Sequence, residues 1–239
     1  MSDAPGAAGT GDYSDVSIVM ITLNEEGAIA KVITDAQGSL PGAEVIVVDG
    51  SSDATPEIAA GLGARVIREP GGGAAPALLA ALRAPGRPIV VTVDADDTYP
   101  AEVFPQLVDQ VRSGLDIAGT DRLGKRPPES MPTANWLANV TFGIVASARA
   151  RRRVKDVHSG QRAYRRSLID EFDWDISGPA LPVDLIFWPA MAGCRISEVA
   201  IPYRERIGAT TLSRWASGKM TMRRLFRSRR RIRRRPAGP

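Results

Sequence analysis

The 239 residues carry 44% hydrophobic side chains, enough for one sizeable buried core, and 31 basic against 27 acidic groups. One cysteine, Cys194, excludes an internal disulfide, and no window of 18 consecutive apolar residues exists to span a bilayer. The net charge of +4 hides an uneven distribution, because nine of the 31 basic residues are arginines within 223–235 and the rest of the chain holds 22 basic against 27 acidic residues, a net of −5.

Residues 1–15 are polar and rich in Gly and Ala, and read as a disordered leader without the charged start and apolar centre of an export signal. A cytoplasmic chain is therefore expected. A strand is predicted over 16–23, then a helix over roughly 26–38 that Gly38 and Pro41 stop. A second strand over 44–48 runs into Asp49-Gly50-Ser51-Ser52-Asp53-Ala54-Thr55-Pro56, a turn into a helix with Pro56 at a first helical position. A third strand over 64–68 leads through Gly71-Gly72-Gly73 to an Ala/Leu-rich helix ending near Arg83, and a fourth ends at Asp94.

Three strands alternating with helices before residue 95 predict βαβ units: an α/β fold with a mainly parallel central sheet and helices on both faces. Beyond Tyr99-Pro100 a helix is predicted to Ser113, a strand over 116–119, an apolar helix over 136–149, and strands over 159–164 and 195–203. The apolar helix leads into residues 149–155, which carry five positive charges.

The run Ile89-Val90-Val91-Thr92-Val93 ends in Asp94-Ala95-Asp96-Asp97. In open α/β sheets ligands collect beyond the carboxyl ends of the strands. On a chain that stays extended past Val93, Asp94 and Asp96 point the same way, with Ala95 opposite. Hard oxygen donors so arranged suit Mg²⁺ or Mn²⁺, completed by water and substrate phosphates. Acids after a strand also cap helices or face water, so this pair does not decide alone. Glu25 after the first strand and Asp49 after the second join it on one sheet edge, where all four acids line one cleft.

Five stretches, in order, resemble family 2 glycosyltransferases of GT-A fold, in the dolichol-phosphate or polyprenyl-phosphate mannosyltransferase-like branch. They are Ile18-Val-Met-Ile-Thr-Leu-Asn-Glu-Glu26, Val45-Ile-Val-Val-Asp-Gly-Ser-Ser-Asp-Ala-Thr55, Val93-Asp-Ala-Asp-Asp-Thr-Tyr-Pro100, His158-Ser-Gly-Gln-Arg-Ala-Tyr164 and Glu198-Val-Ala-Ile-Pro-Tyr-Arg-Glu-Arg-Ile-Gly208. The resemblance implies a single GT-A domain over 16–211. It implies an inverting, metal-dependent transfer of a hexose, of mannose or glucose type, from a nucleotide-diphosphate sugar such as GDP-mannose or UDP-glucose to polyprenyl or dolichyl phosphate.

By the same resemblance Leu23, Glu25 and Asp49 surround the base and ribose, and Asp94 and Asp96 hold the metal on the diphosphate. Arg122 and Arg162 approach donor or acceptor phosphate, and Arg206 joins the substrate contacts. Asp96, Arg162 and Asp184 form the catalytic group. Asp184 is the family's base for a hydroxyl acceptor; a helix-capping role fits it equally, and an anionic phosphate acceptor needs no strong base. His158, the single histidine, reads as a loop hydrogen-bonding group rather than a base.

The chain departs from the family in having Ile21 where proline is common and Thr210-Thr211-Leu212 in place of Ser-Lys-Leu. Two alternatives stay open: the same donor chemistry on a soluble acceptor, and a non-catalytic nucleotide-sugar-binding or membrane-recruitment protein.

Over 212–239, apolar Leu212, Trp215, Met222, Leu225, Phe226 and Ile232 recur near helical spacing between arginines. That pattern suits a peripheral anchor on the anionic inner face of a membrane, or a solvated basic tail. No aromatic interleaving or motif supports nucleic-acid binding.

Overall fold

The computed structural model describes residues 11–69, 71–124, 129–204 and 214–226. Among the described residues seven strands form one sheet: β1 (Val16–Thr22), β2 (Glu44–Asp49), β3 (Arg65–Arg68), β4 (Ile89–Thr92), β5 (Ile117–Asp121), β6 (Arg162–Arg165) and β7 (Ile196–Ala200), in the order β3-β2-β1-β4-β6-β5-β7. The Val/Ile-rich runs of β1, β2 and β4 are buried on both faces, as parallel strands must be when helices cover the sheet on each side. β1 pairs in parallel with β2 and β4, β2 with β3, and β5 with β7, whereas β6 lies antiparallel between β4 and β5.

Side chains alternate along each strand, so the sheet splits the core in two. Val16, Ile18, Met20, Val45, Val47 and Val91 face α1 (Ile29–Ser39), α2 (Thr55–Gly61) and α4 (Phe104–Arg112). Val19, Ile46, Val48, Val90 and Tyr164 face α3 (Ala74–Arg83), α5 (Thr133–Ala150), α6 (Leu181–Ala192) and α7 (Arg214–Leu225). The expected elements of the first half occur in order with boundaries shifted by up to three residues, and the mainly parallel α/β architecture holds.

Two expectations at the chain ends change. Tyr13 is buried, its amide donates to the carbonyl of Pro41, and the Arg112 guanidinium lies 4.9 Å from its ring centroid, so packed structure begins before Val16. At the other end the helix of the basic region does not stand off the body. Thr221, Arg224 and Leu225 of α7 are buried, and α7 packs on α5 and α6. Residues 1–10 of the leader and 212, 213 and 227–239 of the tail lie outside the described residues. Among the described residues no helix is long and apolar enough to cross a membrane.

Candidate active site

A cavity of about 460 Å³ opens at the carboxyl ends of β1, β2 and β4, and Glu69, just past β3, also lines it. On the parallel side it is lined by Thr22, Leu23 and Glu25 past β1, Gly50 past β2, and Asp94 to Asp96 past β4. The start of α3, at Gly73 to Ala75, completes that wall. The opposite wall is His158 and Gly160 on the approach to β6, Pro179, Ala180 and Pro182 at the start of α6, and Ser217, Met220 and Thr221 of α7.

Short polar bonds fix the loops of the parallel side. The Thr22 hydroxyl donates to Asp49 Oδ1 (2.7 Å) and the Ser51 amide to Asp49 Oδ2 (3.1 Å). The Asn24 amide donates to Ser51 Oγ, the Ser52 amide returns to Asn24 Oδ1, and the Glu25 amide donates to Thr55 Oγ1. Asn24 takes φ +59°, a left-handed conformation that asparagine tolerates, and this turns the chain so that Leu23 stays 59% exposed at the cavity edge. Asp49 itself is fully buried and does not line the cavity, so it braces the loops beneath the site where a base or ribose contact was expected.

The two metal-ligand candidates meet at the cavity in a different way from that expected. The chain turns at Ala95-Asp96 instead of staying extended. Asp94 is consequently exposed and Asp96 is 2% exposed, with Oδ1 accepting from the Thr98 hydroxyl (2.6 Å) and amide (3.2 Å). Asp94 rests on bare backbone: a β-carbon on Gly160 would lie 2.4 Å from its Oδ1. Gly160 is held in turn by its amide donating to the Tyr99 hydroxyl (2.7 Å) and by the Thr92 hydroxyl donating to its carbonyl (2.7 Å). Tyr99 and Gly160 are site residues that sequence reasoning missed, although both stand inside the quoted motifs.

The cavity lining contains four carboxylates, from Glu25, Glu69, Asp94 and Asp96, and among the described residues no lysine or arginine. Both arginines expected at a phosphate are used elsewhere. Arg162 is 1% exposed, and its guanidinium donates to the carbonyls of Pro182 (2.7 Å) and Val157 (2.9 Å), tying β6 to the start of α6. Arg122 makes a two-pronged pair with Asp156 (Nε to Oδ2 2.6 Å) and lies 5.0 Å over the Tyr203 ring. Burial alone would raise the Asp156 carboxyl, but the Arg122 guanidinium outweighs it and holds that carboxyl below its ordinary range. Arg206 lies outside the described residues.

Asp184 is also not open to the cavity. It is fully buried in the first turn of α6 and accepts from Arg224 of α7 (2.7 Å). Arg224 also pairs with Asp175 and donates to the Ser177 carbonyl. His158 does line the cavity. Its Nδ1 lies 2.8 Å from Asn139 Oδ1 of α5 and its Nε2 2.9 Å from Thr221 Oγ1 of α7, and burial pushes its pKa down to about 4, so the ring is neutral at neutral pH. It joins three segments, as a loop hydrogen-bonding group does.

An acid-lined cavity repels a diphosphate unless a cation intervenes. Two hard carboxylates at one rim, with no third acid, histidine or cysteine grouped beside them among the described residues, fit a divalent ion of the Mg²⁺ or Mn²⁺ kind that takes its other oxygens from water and phosphate. An open α/β sheet with a cavity beyond the carboxyl ends of its strands places that cavity where such folds bind their ligands.

The family model described as glycosyl transferase family 2 matches residues 17–172, and the chain belongs to that family. It is 45% identical over 207 residues, 86% of this chain and 90% of the relative, to a dolichyl-phosphate hexose transferase of Haloferax volcanii. It is 26% identical, over 83% of this chain and 87% of the relative, to an undecaprenyl-phosphate mannosyltransferase of Micrococcus luteus. Its fold is that of glucosyl-3-phosphoglycerate synthase from Mycobacterium tuberculosis, solved with Mn²⁺, UDP and glucosyl-3-phosphoglycerate. The TM-score is 0.69 at 23% identity, covering 87% of this chain and 77% of that one. The GT-A fold expected from the sequence is therefore the fold observed.

Proposed function

We propose that this enzyme transfers a hexose, of mannose or glucose type, from a nucleotide-diphosphate sugar to polyprenyl phosphate at a membrane surface. The relatives named above support the acceptor class. The observation that carries the reading is the acid-lined cavity without a described basic residue, which suits a donor that arrives with a divalent cation.

In this reading Leu23 and Glu25 border the nucleoside, with Asp49 holding their loop from below. Asp94 and Asp96 would hold Mg²⁺ or Mn²⁺, which when bound neutralises charge building on the leaving diphosphate. Gly160 leaves room for Asp94. The acceptor phosphate, anionic at neutral pH, attacks the anomeric carbon opposite the diphosphate and inverts it. No proton need be removed, which agrees with an Asp184 carboxylate committed to Arg224. The arginines at 227–235 support a peripheral place on an anionic leaflet.

Calorimetry of GDP, UDP and their hexose conjugates with and without Mn²⁺, followed by transfer of labelled hexose to polyprenyl phosphate in detergent, tests the reading. Metal-dependent binding of one nucleotide class, transfer to the lipid and loss of transfer in Asp96→Asn are expected. Transfer only to soluble acceptors overturns the acceptor class, and Asp96→Asn with unchanged turnover overturns the metal role.

A further inference from the structure

Asp94, Asp96 and Asp97 close the β4 run, yet only the first two line the cavity. Asp97 takes φ +60°, a left-handed conformation that disfavours most L side chains and that Asp and Asn tolerate best. That reversal brings Thr98 back over Asp96, whose Oδ1 accepts from both the hydroxyl and the amide of Thr98. The placing of Asp96 therefore depends on the conformation of Asp97.

Two basic side chains from distant parts of the sequence hold Asp97 outside the cavity. Lys31 Nζ of α1 donates to Asp97 Oδ1 (2.9 Å), and Arg204 Nη1, past β7, lies 3.7 Å from the same oxygen. Between them the Asp97 side chain is 14% exposed. Arg204 is itself anchored, because its amide donates to the Thr98 carbonyl (3.1 Å) and its guanidinium to Glu102 (3.0 Å). Its neighbour Tyr203 stands edge-on to Tyr99, with ring centroids 5.9 Å apart, and the Tyr99 hydroxyl accepts from the Gly160 amide beneath Asp94. Two adjacent residues past β7 thus touch the support of each cavity carboxylate, Thr98 for Asp96 and Tyr99 for Asp94.

We propose that Lys31, Asp97 and Arg204 are positioning residues for the divalent cation: the two basic side chains pin the Asp97 carboxylate outside the cavity and so fix the turn that sets Asp96 at its rim. This rests on the metal role given above to Asp94 and Asp96, and adds three residues that do not touch the ion. Ion pairs as exposed as these contribute little to stability. Their consequence is geometric, since an unpinned Asp97 can leave the left-handed region and carry Thr98 off Asp96. A through-space effect has the opposite sign: positive charges near a cation site weaken it, so removing them would tighten binding.

The test is titration of the full chain with Mn²⁺ followed by electron paramagnetic resonance, alone and with saturating GDP or UDP. Lys31→Met/Arg204→Met is expected to bind Mn²⁺ about tenfold more weakly, as when a group that orients a metal ligand is removed. Its melting temperature should stay within about 3 °C of the parent. Asp97→Asn keeps an acceptor oxygen and tolerates the left-handed turn, so it should bind within about threefold of the parent. Asp97→Ala loses both and should fall with the double variant.

Unchanged or tighter Mn²⁺ binding by Lys31→Met/Arg204→Met overturns the proposal. So does an Asp97→Asn protein as weak as Asp97→Ala, which would assign the effect to charge and not to the turn. A parent that binds no Mn²⁺ in any titration sinks the metal role of Asp94 and Asp96, and this inference with it, whereas the first two outcomes leave that role standing.

Discussion

Gly160 and Asp94 share a space that admits no side chain on the glycine, since a β-carbon there would stand 2.4 Å from Oδ1 and 2.6 Å from Oδ2 of the carboxylate. Gly160 is not among the glycines with positive φ, so alanine meets no backbone strain and acts only by displacing Asp94. Gly160→Ala is expected to lower kcat/KM for hexose transfer by about 100-fold, the effect of misplacing a reacting group by about 1 Å. Its thermal midpoint should stay within about 2 °C of the parent. An unchanged rate would show that Asp94 does not need its present position.

Arg224 and Asp184 form a buried pair between α7 and α6, with side chains 6% and 0% exposed. Removing one member leaves a buried charge, so Arg224→Met is expected to destabilise the fold by about 3–5 kcal/mol in urea denaturation. Asp184→Leu/Arg224→Met should recover most of that loss, although Asp175 then loses a partner. The double variant also separates two roles for Asp184. Substantial transfer to polyprenyl phosphate is expected from it, whereas a required base would leave the refolded protein inactive.

Gly143 lies where α5 crosses the chain before β6: a β-carbon would be 2.2 Å from the Lys155 carbonyl oxygen. In an open helix Gly→Ala stabilises by about 1 kcal/mol. Here the clash is with backbone, which cannot swing aside, so Gly143→Ala should instead lower stability by about 2 kcal/mol or more. Calorimetric melting decides the sign.

His158 sets a pH dependence. Its folded pKa of about 4 lies below its ordinary 6.5, so the unfolded chain takes up the proton first. The stability present above about pH 6.5 is lost as pH falls toward 4, on the order of 2–3 kcal/mol. His158→Gln should flatten the fall in melting temperature between pH 6.5 and 4. If both proteins lose stability in parallel across that window, the histidine is not the group responsible.

The parallel half was legible because strands buried on both faces are continuous Val/Ile runs bounded by turn residues, and those runs also mark where the acids fall. β6 was legible as a strand but not as an antiparallel one. Its direction follows from where α5 leaves the chain, and nothing local in Arg162-Ala163-Tyr164-Arg165 encodes it. Asp94 and Asp96 were found by spacing, yet their unequal exposure depends on the turn at Ala95-Asp96 and on the Thr98 hydroxyl. The arginines misled for a general reason: a guanidinium that suits a phosphate suits a carboxylate or three carbonyls equally well. Only packing shows which partner each obtained. The exposure of Leu137 and Ile144 on α5 was hidden because the uncharged run over 130–148 reads as a buried helix, whichever of its large side chains turn outward.

Because β6 runs against β4, with Thr92 opposite Arg162 and Val91 opposite Ala163, the cavity is bounded by a strand exit on one side and a strand entrance on the other. The gap between Asp94 and the His158–Gly160 wall is therefore set by hydrogen-bond register. A slip of β6 by two residues, the smallest that keeps Ala163 and Tyr164 on their proper faces, would carry that wall about 6.6 Å along the sheet. Such slips are discrete, so the aperture behaves as a stepped dimension and cannot be adjusted gradually. Insertions between α5 and β6 offer the chain a way to resize it without disturbing the four parallel strands that carry the acids.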